Sequence, residues 1–172
     1  MQNQVNAPVY APFSWRAALA ASLCGGLVFA WLHLGLMWAM RGVSPWVSVR
    51  MIAAMVLGPA VLSPSETSGA LVVLAAIFLH GMLSIAYGML LALPLPAVDT
   101  TWSIVVGGFY GLALYYINFY GFSAFSPWFI EERDAVSMVS HFSFGAVVAW
   151  AYKAIHRNWY GAESEGPASA SR

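Results

Sequence analysis

Residues Gly69 to Leu93 read GALVVLAAIFLHGMLSIAYGMLLAL, an unbroken run without a single charged side chain. A helix needs about 18–20 apolar residues to cross a hydrocarbon core of about 30 Å, and this run exceeds that. It is continuously apolar rather than alternating, so it reads as a membrane helix and not as a barrel strand. Working outward, three more such runs appear at 17–40, 102–122 and 136–153. Arg16, Arg41, Arg50, Glu66, Asp99, Glu131, Glu132, Arg133, Asp134, Lys153 and Arg157 bracket these segments, and none falls in the middle of one. Composition agrees: the 172 residues are 60% hydrophobic and 8% charged, against about 25% charged in ordinary soluble domains. Lipid must cover much of such a surface.

The expectation is an all-α membrane protein: a four-transmembrane-helix bundle over 16–157, preceded by a polar tail over 1–15 and followed by a disordered tail over 158–172. The first run is longer than a signal-peptide core of about 7–15 residues, lacks a basic segment before Arg16 and has no small-residue cleavage site after it, so it reads as a retained helix. The one long connection, 41–64, carries its own signals. Ser44-Pro45 is an N-cap with proline at the first helical position, and Gly58-Pro59 is a stop. The helix between them, 45–57, is about 20 Å long at 1.5 Å per residue. That is too short to span, and Arg50 lies inside it, so an interfacial or re-entrant helix is expected ahead of a fifth span. Ser63-Pro64-Ser65-Glu66 has the form of a capping box opening the second span. Pro94-Leu95-Pro96 closes it. The short 94–101 loop predicts that the second and third spans are antiparallel neighbours. Asp99 and Asp134 are expected N-caps, and 131–134 is expected to be a solvated turn.

Trp15, Trp38, Trp46, Trp102, Trp128 and Trp159 lie near span ends, where amphipathic rings favour the headgroup level. With four spans the termini share a side, which carries Arg16, Lys153 and Arg157 against Arg41, Arg50 and Arg133 on the other. The bias is small and favours cytoplasmic termini. The net charge of 0 and the lack of a basic stripe give no basis for nucleic-acid binding. Cys24 alone can form neither an intrachain disulfide nor a cysteine-based zinc site.

Gly26 sits in a small-residue stripe with Ser22 and Ala30. Gly107 and Gly111 form a second stripe, and Gly145 follows His141 by one turn. Small residues four apart allow close helix approach in lipid, either within the chain or across a homodimer face. The candidate intramembrane polar cluster is His33, His80, Asn118 and His141, with Ser84 and Tyr87 on the His80 face. Polar groups at membrane depth turn toward protein or water. Three roles are open to the histidines. They can hydrogen-bond neighbouring helices together, they can sense or relay protons, or His80 and His141 can ligate a b-type haem. Zinc is not expected, since no carboxylate or cysteine is placed at their depth. No serine triad, phosphate loop or dinucleotide fingerprint is present, and no residue is assigned a catalytic role.

Leu79-His80-Gly-Met-Leu-Ser84-Ile-Ala-Tyr87, Asn118-Phe119-Tyr120-Gly121-Phe122 running to Ser126-Pro127-Trp128, and Ser140-His141-Phe-Ser-Phe-Gly145 resemble the YagU-like family of small bacterial inner-membrane proteins. They also resemble short proteobacterial proteins labelled sodium:proline symporters. His80 and His141 fall on histidines of the family pattern and His33 does not. The resemblance implies a multi-pass inner-membrane protein of undetermined activity, with one member linked to acid resistance. The symporter label sits poorly with four spans that show no internal repeat. The reading taken is therefore a non-enzymatic membrane protein, structural, accessory or stress-related, with lipid and a homo-oligomer or membrane-complex subunit as its partners. A proton-linked or pH-responsive protein and a haem-binding electron carrier are the alternatives. The short 45–57 helix is expected to lie over the polar cluster as a lid.

Overall fold

A computed structural model of the chain describes residues 12–63 and 69–164. The expected capping box at 63–66 and the far parts of both tails lie largely outside these residues. Among the described residues there are five α-helices: α1 (Trp15–Arg41), α2 (Pro45–Leu57), α3 (Gly69–Ala92), α4 (Thr100–Tyr116) and α5 (Ala135–Ser164). Helices α1 and α3, α4 with the turns that continue it, and α5 are each long and apolar enough to cross a membrane. At 24 residues, α3 alone reaches about 36 Å at 1.5 Å per residue. The outward faces carry large apolar side chains, among them Trp31, Ile77, Phe78 and Phe109, each at least 64% exposed. Apolar surface on that scale needs an apolar solvent. The chain is a multi-pass membrane protein.

Local signals set most of the boundaries. Ser14 caps α1 through Oγ to the Ala17 amide, and Gly42 ends it in the left-handed conformation at φ 64°. Ser44 caps α2, with Pro45 at its first position, and Gly58 closes it at φ 88°. The Asp99 carboxylate takes the Trp102 amide at 3.1 Å, and that of Asp134 takes the Ser137 amide at 2.8 Å. At its N-terminal end the bundle reaches past the expected limit. Ser14 is buried, and its amide meets the Tyr152 hydroxyl at 3.3 Å, so residues 12–15 belong to the bundle. The helical backbone of α5 continues to Ser164, beyond the expected start of a disordered tail at 158.

Helix α5 is the centre of the assembly, with α1 and α4 packed on it, α3 on α1, and α2 on α3. Glycine makes these contacts possible. A Cβ at Gly107 or Gly111 would strike the α5 backbone at Gly145 and His141, and one at Gly145 would strike Gly107. A Cβ at Gly26 would come within 2.5 Å of Ser84 Oγ, and Gly88 lies as tightly against Ser22. Gly26, Gly107, Gly111 and Gly145 are thus used within the chain. Helix α2 packs through small side chains, Ala53 and Ala54 against Val72, Ala75 and Ala76 of α3.

The pairing of α3 with α4 corrects an expectation. The Leu95–Ala97 turn joins them, yet their backbones make almost no close approach to each other. A short loop fixes only the ends that it connects. Above the loop α1 and α5 hold the two helices apart, and a gap remains between them.

Candidate functional site

The gap is a half-open cavity of about 320 Å³. Its back wall is Phe29 of α1 with His141 and Phe144 of α5. Its sides are Leu79, His80, Leu83, Ser84 and Tyr87 of α3, and Leu114, Asn118 and Phe119 of the α4 arm. Ile52 and Met55 of α2, with Phe129, close the end away from the chain termini. That is the lid position expected for α2. The lid is fastened by Trp128, whose indole Nε1 donates to the Met51 carbonyl at 3.0 Å. Trp128 is half-buried, its indole turned toward α2.

Asn118 reaches the wall because α4 changes its winding. The α-helix ends at Tyr116, Ile117–Gly121 form a π turn, and Phe122–Ala124 a 3-10 turn. A π turn widens the helix and frees backbone groups, and such turns recur at functional positions. Arg133 meets that need by folding back. Its Nε donates to the Phe119 carbonyl at 2.8 Å, its guanidinium bonds Ser123 Oγ at 2.7 Å, and its charge sits 4.2 Å from the centre of the Tyr120 ring.

The expected polar residues gather around one side chain. The Phe29 ring centre is 5.5 Å from His33, 5.5 Å from His80 and 4.8 Å from His141. Hydrogen-bond partners fix the proton positions. His141 Nδ1 lies 2.8 Å from the Ser137 carbonyl, which can only accept, so Nδ1 carries the hydrogen. Nε2 is then an acceptor and takes the Asn118 amide at 3.2 Å. The Asn118 oxygen accepts from the Tyr87 hydroxyl at 3.0 Å, and the Tyr87 carbonyl accepts from the Tyr110 hydroxyl at 2.9 Å. Side chains of α3, α4 and α5 thus bridge the gap that the backbones leave open. His80 points the other way: Nε2 donates to the Gly26 carbonyl of α1 at 2.9 Å, while Ser84 donates to the His80 carbonyl at 2.7 Å.

His33 is buried and 3.2 Å from the carboxylate of Glu132, which Ser137 Oγ also approaches at 3.3 Å. This overturns two expectations. A carboxylate does lie at histidine depth, and the acidic run is not wholly solvated, because Glu132 is 4% exposed. Arg41 pairs with Asp134 beside it. Sequence reasoning missed Glu132, Phe29 and Tyr110. Phe29 carried a signal, one helical turn before His33 on the same face. Glu132 carried none, because an acidic residue in a charged loop reads as solvated by default.

The two histidines weighed as haem ligands flank Phe29, and the Nε2 atoms of both are already hydrogen-bonded. An iron held between them would have to displace both bonds and the ring. No group of three or more His, Cys, Asp or Glu side chains is arranged to hold a metal ion among the described residues. His33 Nδ1 and Ser48 Oγ are the buried side-chain polar atoms without a hydrogen-bond partner there. No protein-family model matches the chain, and no curated protein or solved structure matches it significantly.

Proposed function

We propose that this is a non-enzymatic membrane protein that binds a lipid-soluble small molecule taken from the bilayer into the α3–α4 gap. The observation that carries the reading is the cavity itself. About 320 Å³ of space falls within the range of small-molecule sites, roughly 300–1,000 Å³, and a mostly apolar wall with a few convergent polar groups is their usual form. Close packing is the rule for protein interiors, and the glycine contacts elsewhere in this bundle obey it. A gap kept open by two bulky back-wall phenylalanines and roofed by a separate short helix departs from that rule. A proton relay gains less support. The hydrogen-bonded chain passes through a backbone carbonyl at Ser137 and an amide at Asn118, and neither group hands a proton onward at ordinary pH. The chain positions side chains rather than conducting charge.

Photolabelling tests the reading. A neutral alkylbenzene carrying a diazirine, added to membranes containing the full chain, is expected to label Leu83, Leu114 and Phe119. Leu83→Trp, which fills the cavity, is expected to abolish that labelling while labelling at outward-facing Ile77 persists. Labelling confined to outward positions such as Ile77 and Phe109 overturns the proposal.

A further inference from the structure

The hydrogen-bonding capacity left over in the cavity wall identifies a class of ligand. Resting on the binding function proposed above, we infer that the cavity takes a neutral, hydroxylated aromatic ring bearing an alkyl tail, such as an alkyl-substituted benzoquinol.

Charge comes first. Among the described residues, no Lys, Arg, Asp or Glu lines the cavity. A carboxylate or phosphate head would enter as an unpaired buried ion, which low-dielectric surroundings penalise heavily. That removes fatty-acid anions and phospholipid heads and leaves neutral ligands.

Shape comes second. Phe29, Phe119, Phe122, Phe129 and Phe144 surround the space. Phenyl faces and edges suit a flat aromatic ring in offset or edge-to-face contact. The volume holds a ring with a few methylenes. A longer tail leaves through the gap between α3 and α4 and continues among the lipid chains.

Hydrogen-bond valence comes third. His80 donates through Nε2 to Gly26, so the lone pair on its Nδ1 remains as an acceptor, and that atom has no partner among the described residues. The Tyr87 hydroxyl donates its hydrogen to the Asn118 oxygen and keeps lone pairs free to accept. Asn118 uses one amide hydrogen on His141 and keeps the second. The wall therefore offers more acceptors than donors. A ring hydroxyl satisfies both kinds, giving its hydrogen to His80 Nδ1 or the Tyr87 oxygen and accepting from Asn118. A quinone carbonyl can only accept and leaves the acceptors unmatched. The reduced ring is expected to bind about tenfold more tightly than the oxidised one, the equivalent of one hydrogen bond in an apolar site.

The test uses the full chain in lipid nanodiscs in oxygen-free buffer, titrated with decyl-substituted benzoquinol, the matching benzoquinone, decylbenzene and decanoate. The expected order of affinity is quinol, then quinone, then decylbenzene, with decanoate weakest. Asn118→Leu is expected to bring the quinone close to decylbenzene and to weaken the quinol severalfold while leaving it the tightest binder; unchanged affinity for both rings in a folded Asn118→Leu protein overturns the inference. If that variant does not fold, the order on the unaltered chain decides alone. Equal binding of quinol, quinone and decylbenzene, or tightest binding of decanoate, removes the ligand class and leaves the cavity's binding role intact. Binding of none of them removes both.

Discussion

A pair of glycine-to-alanine substitutions isolates the packing that holds the bundle together. Gly111 and Gly81 both lie within helices, so each substitution gains the same roughly 1 kcal/mol in helix propensity. Their surroundings differ. A Cβ at Gly81 meets nothing within 4 Å, whereas one at Gly111 collides with the His141 carbonyl and lies 3.1 Å from Phe142 Cα. Those atoms are backbone and cannot rotate away, so α4 and α5 must separate along the seam that also contains Gly107 and Gly145. Overpacking costs about 1–3 kcal/mol, and an obstruction made of backbone belongs at the upper end. The expected difference is therefore about 3 kcal/mol, with Gly81→Ala neutral or slightly stabilising. At about 2–4 °C per kcal/mol for a chain of this size, thermal midpoints should separate by about 6–12 °C. Unfolding in mixed detergent micelles, followed by circular dichroism, measures it. Equal stability of Gly111→Ala and Gly81→Ala would refute the α4–α5 seam and, with it, the placement of His141.

Further outcomes follow from the same contacts. Glu132→Leu alone should cost about 3 kcal/mol by leaving His33 and Ser137 without their partner, and His33→Leu with Glu132→Leu should recover most of it; a double-mutant cycle reads this, and strict additivity would deny the coupling. Arg133→Ala should lose about 1–3 kcal/mol by stranding the Phe119 carbonyl, and hydrogen exchange should rise within 117–121 before it rises elsewhere in α4. Trp128→Phe should loosen the lid, seen as faster exchange in α2 with α4 and α5 unchanged. Alkaline phosphatase fused after Ser126 should be active in a bacterial host and inactive when fused after Val98, as cytoplasmic termini require; the reverse pattern would invert the orientation.

The four spans were legible because hydropathy over a run like 69–93 admits few alternatives, and the caps at Ser44, Asp99 and Asp134 were legible because their chemistry is local. The inward stripe of His80, Ser84 and Gly88 followed from helical spacing in the same way. Neighbour relations were not legible. The 94–101 loop constrains where α3 ends and α4 begins, while the separation above it depends on α1 and α5 reaching between them, and no local pattern records that. Glu132 was misplaced for a related reason: its burial depends on His33, far away in sequence, arriving from another helix. The π turn at 117–121 left only a polar residue inside an apolar run as its trace. Of the site, then, the residues were readable and their arrangement was not.

The separation of α3 from α4 is the claim on which the cavity and everything built on it depend, and disulfide trapping in native membranes measures it directly. In a Cys24→Ala background, a control pair of cysteines at facing positions of the packed α2–α3 cluster should oxidise readily. Leu83→Cys with Leu114→Cys faces across the cavity and should not, because a disulfide needs Cα atoms within about 7 Å; a longer bifunctional reagent should bridge it. A rapid, quantitative Leu83–Leu114 disulfide would show the two helices in contact, and the gap would not exist.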